Sequence, residues 1–155
     1  MVAIPPTRRP SAPALDHREL YVLLGRIEEA LEVLLRTEPL EPTAAQSALE
    51  LLEVAGRELP VHFADEEAPD GFFASALARA PHLHHALETL QKEHLHLAEL
   101  LGELLQEVRW AGTSSSAWTH VEASYLLLAE TLRRHERAED GIVAEAFSTD
   151  EGGLG

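Results

Sequence analysis

Residues 16–36 read DHRELYVLLGRIEEALEVLLR. Within them Leu20, Leu23, Leu24, Ile27, Leu31, Leu34 and Leu35 recur three and four residues apart, which is the spacing of one face of an α-helix. Pro39 and Pro42 end this pattern and open a second one, where Thr43 is the expected N-cap and Leu49, Leu51, Leu52, Ala55 and Leu59 mark the buried side. Pro60 falls inside that second helix and predicts a kink or a loosened turn just before His62. A break over residues 68–71 and a short helix over residues 72–80 follow. A third long helix is predicted from Pro81 to about Arg109, with Leu87, Leu90, Leu97, Leu101, Leu105 and Val108 inward. A Gly-, Ser- and Thr-rich loop then leads to a fourth helix over residues 117–147. Four amphipathic helices with short connections predict an all-α, up-down-up-down four-helix bundle.

Composition agrees with that reading. The chain has 155 residues, enough for one domain with a core of its own, and 45% of them are hydrophobic. Leu and Ala supply most of the apolar mass, and both favour helices over strands. Residues 1–14, which carry four prolines, are expected to form a flexible leader. Residues 15–147 form the bundle, and residues 148–155 form an acidic, Gly-rich tail. The net charge of −15 argues against a nucleic-acid partner and against binding to anionic lipid. No cysteine is present, so thiolate metal sites and Cys nucleophiles are excluded. No signal-type leader and no membrane-spanning run is visible, which makes a cytoplasmic protein the expectation.

The nine histidines acquire meaning from helix phase. At about 100° of rotation per residue, His17 shares a face with Leu24, Leu31 and Leu35, and His62 with Ala48, Leu51, Ala55 and Leu59. His94 aligns with Leu87, Leu90, Leu97, Leu101 and Leu105, and His135 with Val121, Leu128, Leu132 and Ile142. One inward histidine is an ordinary hydrogen-bonded core residue. One on every long helix is hard to explain by packing.

Two carboxylates sharpen the point. Glu66 follows His62 by four residues and Glu139 follows His135 by four, so each pair lies one turn apart on one helix face. An inward carboxylate needs a cation or a proton, and few lysines or arginines share those faces. Four imidazoles and two carboxylates make a natural cage for two divalent metals. The order also repeats: Asp16-His17 then His62-x-x-x-Glu66, and Glu93-His94 then His135-x-x-x-Glu139, which suggests pseudo-two-fold symmetry about a metal pair.

On these residues the chain, from about Ala14 to Phe147, resembles hemerythrin-like proteins of the HHE cation-binding family. The resemblance implies an oxo- or hydroxo-bridged pair of iron ions, with His17, His62, His94 and His135 as terminal ligands and Glu66 and Glu139 as bridges. The oxygen carriers of that family place a second histidine one turn from the first on the third helix. Here those positions are Leu90 and Ala98. His84 is out of phase and about 15 Å along the axis from His94. His85 and His96 point the opposite way, and His82 and His120 lie near helix ends, so these five are expected in solvent. Tyr21, one turn after His17, is expected to face inward as a core tyrosine, a fifth ligand or a hydrogen-bond donor to the site.

A ferritin-like site would read Glu-x-x-His, whereas both inward segments here run His-x-x-x-Glu; a zincin would read His-Glu-x-x-His, and the nearest match, residues 135–139, lacks the second histidine. Imidazole and carboxylate serve zinc and manganese as well as iron. The functional expectation is a protein that binds, senses or stores dioxygen, nitric oxide or iron. The alternative is a di-iron peroxidase or oxidase in oxidative or nitrosative stress defence, since open metal positions favour reaction with dioxygen or peroxide.

Overall fold

The computed structural model describes residues 16–148. The expected leader, residues 1–14, and the expected tail beyond Ser148 lie outside the described residues. Among the described residues every element is helical: α1 (His17–Leu35), α2 (Pro42–Glu67), α3 (Phe72–Arg79), a single 3₁₀ turn (Pro81–Leu83), α4 (His84–Ala111) and α5 (Ser115–Ser148).

The four long helices form a ring in which α1 packs on α2, α2 on α4, α4 on α5, and α5 back on α1. The connections 36–41 and 112–114 are too short to cross the bundle, so the helices they join run antiparallel. Several helix ends have a local cause. Asp16 caps α1, its side chain accepting from the Glu19 N–H at 2.7 Å. Gly112 turns the chain out of α4 with φ of 54°, a region a side chain would strain. Its carbonyl then accepts from the Trp118 indole N–H at 2.8 Å, which pins the start of α5.

Some boundaries differ from the sequence reading. Thr43 is not the N-cap of α2; Glu41 holds that place, because Pro42 has the φ and the absent N–H suited to the first helical position. Helix α2 runs unbroken through Pro60, whose ring lies on the exposed face. The third long helix begins with the 3₁₀ turn and becomes α-helical at His84.

The interior divides in two. The larger apolar cluster fills most of the bundle, from Leu20 and Leu24 through Leu31, Leu52 and Leu104 to Trp118. The Tyr125 hydroxyl crosses it, donating to the Leu24 carbonyl at 2.7 Å. A smaller cluster of Phe73, Ala76, Leu83, Leu87, Leu90 and Ile142 gathers where α3 packs on α2, α4 and α5. The buried histidines and glutamates belong to neither cluster. No helix among the described residues is long and apolar enough to cross a membrane.

Candidate metal centre

The start of α1, the end of α2, the third turn of α4 and the last third of α5 meet at one end of the bundle, because the helices alternate in direction. Their inward side chains converge there as two overlapping groups. One is His17, His62, Glu136 and Glu139; the other is Glu66, His94, His135 and Glu139. Within each group the candidate ligand atoms all lie within 4.8 Å of one another. All are buried except His17, whose side chain is 33% exposed.

The contacts come in pairs related by exchanging α1 with α4 and α2 with α5. His62 Nε2 lies 3.1 Å from Glu66 Oε1, and His135 Nε2 lies 2.8 Å from Glu139 Oε1. His17 Nε2 lies 3.2 Å from Glu139 Oε2, and His94 Nε2 lies 3.6 Å from Glu66 Oε1. The His17 and His62 rings are tilted by 57°, those of His94 and His135 by 56°. Glu66 and Glu139 therefore each touch histidines from both halves of the cage, Glu139 reaching His94 as well at 3.9 Å.

The outer edges of the rings repeat the pattern. His17 Nδ1 is 3.2 Å from Asp140, the residue after Glu139, and His94 Nδ1 is 3.3 Å from Glu67, the residue after Glu66. His135 Nδ1 is 2.7 Å from Glu93. On His17 and His135 the carboxylate hydrogen-bonded to Nδ1 holds the proton there and turns the Nε2 lone pair inward, as metal-binding histidines require, whereas Glu67 stands beside His94 Nδ1 without hydrogen-bond geometry.

The electrostatics show how poorly protein alone fills this space. The buried oxygens of Glu66, Glu136 and Glu139 have imidazole nitrogens as their close partners, and among the described residues no lysine or arginine pairs with them. The Nε2 atoms of His94 and His135 face each other at 3.1 Å, a distance that admits only one proton between them. In the cation-free chain the imidazoles take protons to offset the carboxylates. Hydrogen bonds to Glu136 and Glu139 push His17 up to about 11. Burial works against protonating His62 and His94, but their hydrogen bonds to glutamates outweigh it and hold them at about 10 and about 9. Burial likewise opposes the charge on Glu139 and Glu136, yet the surrounding imidazoles keep both below the usual carboxylate range. Glu66 goes the other way, raised by burial and by the neighbouring Glu139.

Of the residues singled out from sequence, the structure brings together His17, His62, Glu66, His94, His135 and Glu139. Tyr21 needs correction: it does not face inward but is 37% exposed. His17 sits at the edge of the buried stripe of α1, and four residues on the helix has turned about 40° further from the core. Partial burial and the charges of Glu136 and Asp140 raise its phenol above the ordinary value. The five other histidines are exposed. His82 pairs with Glu145 at 2.9 Å and His120 with Glu107 at 3.3 Å, while His84 and His85 gather with Glu88 on the surface.

Glu136 is the residue the sequence reading missed. It is fully buried, with Oε2 2.5 Å from His17 Nε2 and Oε1 3.2 Å from His62 Nε2. The signal was present in α5. Trp118, Tyr125, Ala129 and Leu132, all buried, lie at helical spacing with Glu136, so the inward face of α5 is two residues wide.

A cavity of about 330 Å³ reaches the site, lined among others by Asp16, His17, His62, Glu66, Phe72 and Glu139; neither His94 nor His135 lines it. No family model, no curated protein and no solved structure matches the chain.

Proposed function

We propose that this chain is a hemerythrin-like protein whose buried cage holds a pair of iron ions and binds a small ligand such as dioxygen or nitric oxide. The observation that carries the reading is the set of inward-facing lone pairs. Three buried carboxylates whose close partners are imidazoles surround two imidazole nitrogens 3.1 Å apart. Such an arrangement is costly unless cations occupy it, and it fits divalent metals in donor type and number. Iron, rather than zinc or manganese, is supported by the resemblance of the two His-x-x-x-Glu segments.

His17 and His62 would hold one ion and His94 and His135 the other, with Glu66 and Glu139 placed between the halves. Asp140 and Glu93 orient the His17 and His135 rings from behind, and Glu67 stands beside that of His94. A bound iron pair supplies Lewis-acidic, redox-active positions for a small ligand. The bundle keeps bulk water away from most of the site, and the cavity beside His17 provides the approach.

Metal analysis with a visible spectrum, on protein made with iron available and purified in air, tests this. The expected result is about two iron ions per chain, in line with the two donor groups. A stoichiometry of one, or zinc filling the site under iron-replete growth, overturns it. The cavity also supports turnover of peroxide as a second reading. Peroxide consumption that rises in proportion to iron content would decide for it, and none would leave binding alone.

A further inference from the structure

The pairing that organises the cage fails at the residue after each α2 and α5 histidine. After His135 comes Glu136, whose carboxylate meets His17 and His62. After His62 comes Phe63, in the equivalent position toward the other half. Its ring stacks on His94 with centroids 4.4 Å apart and stands edge-on to His135 at 6.2 Å. Phe73 covers the opposite face of that half, stacked with His94 at 5.4 Å. One half of the cage thus has an extra carboxylate where the other has an aromatic wall.

The cavity lies on the His17–His62 side, with the fully buried Glu136 behind its lining rather than part of it. Its lining includes His17 and His62 but neither histidine of the aromatic half. A ligand from solvent therefore meets the His17–His62 position first, and there Glu136 already offers an oxygen. Glu66 and Glu139 contact histidines of both halves, whereas the imidazole contacts of Glu136 are to His17 and His62 alone. Its release would leave both shared carboxylates in place.

We propose that Glu136 is an internal, displaceable ligand that occupies the coordination place an incoming small anion would take at the His17–His62 position. This rests on the metal-centre reading above. It makes anion binding weak by competition: an anion binds only in the fraction of molecules in which Glu136 has swung away. If Glu136 is engaged in nine molecules of ten, apparent affinity falls about tenfold.

The test compares the iron-loaded wild type with Glu136→Ala and Glu136→Gln. Iron content is measured first, followed by titration with azide monitored by its absorption band. Wild-type protein that does not take up two irons refutes the metal centre itself, before any azide is added. With two irons in all three proteins, the expected result is azide binding about tenfold tighter or more in Glu136→Ala. Glu136→Gln should shift the same way, because its neutral amide is a weaker ligand than the carboxylate. Equal azide affinity across the three proteins, each holding two irons, overturns the proposal. So does loss of an iron from both variants, since Glu136 would then be a holding ligand rather than a displaceable one.

Discussion

The same four helices fill the two ends of the bundle in opposite ways. Toward the α1–α2 connection the interior is Leu31, Leu34, Leu52, Leu104, Val108 and Trp118, and among the described residues no charged side chain is fully buried there. At the other end, on the same helix faces, the interior is His62, Glu66, His94, His135, Glu136 and Glu139. The first end stabilises the fold by removing apolar surface from water. The second places lone pairs where the first places methyl groups. A bundle can carry such a layer only because the longer apolar stretch fixes the helices in position, and because a cation can supply what the protein omits.

The sharpest way to break this contrast is to remove the metal. Loaded protein should melt well above the cation-free chain, because the buried carboxylates would otherwise depend on protonated imidazoles. Equal melting temperatures would show that the two ends are energetically alike. Loading should also release about three protons per chain near neutral pH: one each from His17 and His62, and the one shared by His94 and His135. A weakly buffered titration measures this.

Substitutions at the two ends should separate next. Glu139→Ala removes the carboxylate common to both donor groups and should abolish binding of the metal pair. Leu52→Ala, in the apolar end, should cost roughly 2–5 kcal/mol and leave metal content unchanged. Denaturant melts paired with metal analysis read both effects. The distinction fails if Leu52→Ala loses metal or if Glu139→Ala keeps two ions.

A smaller effect is expected from pH on the cation-free chain. His17, His62 and His94 are raised to about 11, 10 and 9 from 6.5. A group whose pKa rises on folding contributes fully below its unfolded value and loses that contribution as pH climbs through the folded one. Stability of the cation-free chain should therefore fall between about pH 7 and 11, measured by melting at each pH, while the loaded protein changes far less. Smallest of all, His85→Ala and His96→Ala should leave metal content and spectrum unchanged, since both rings are exposed. A lost ion in either variant would mean the inward face of α4 is not the one carrying His94.

Much of this was legible before any coordinates. Leucine spacing located the four long helices, and the two His-x-x-x-Glu segments pointed inward because their phase matched Val121, Leu128 and Leu59. What phase could not resolve was the width of a buried face. Glu136, one step from His135, was not singled out, because a single stripe centred on His135 leaves it aside; yet α5 contacts both α1 and α4 and buries two adjacent positions at a time. Tyr21 erred in the opposite sense, being placed inside on the strength of a histidine that itself stands at the edge. The short α3, which brings Phe73 over His94, gave no sign of its destination, because an eight-residue helix takes its place from contacts distant in sequence.

That stack between Phe63 and Phe73 bears on how fast a bound ion could leave. The His94 ring is clamped on both faces with interplanar angles of 21° and 19°, so it has surrendered its rotational freedom before any cation arrives. His17, partly in solvent on the first turn of α1, is held by carboxylate contacts alone and is not stacked between aromatic rings. Ordering such a side chain costs about 0.5–1.5 kcal/mol, and the step in reverse is equally favoured. Dissociation should therefore begin as a hinge-like swing of His17, with the clamped half of the cage the last to let go.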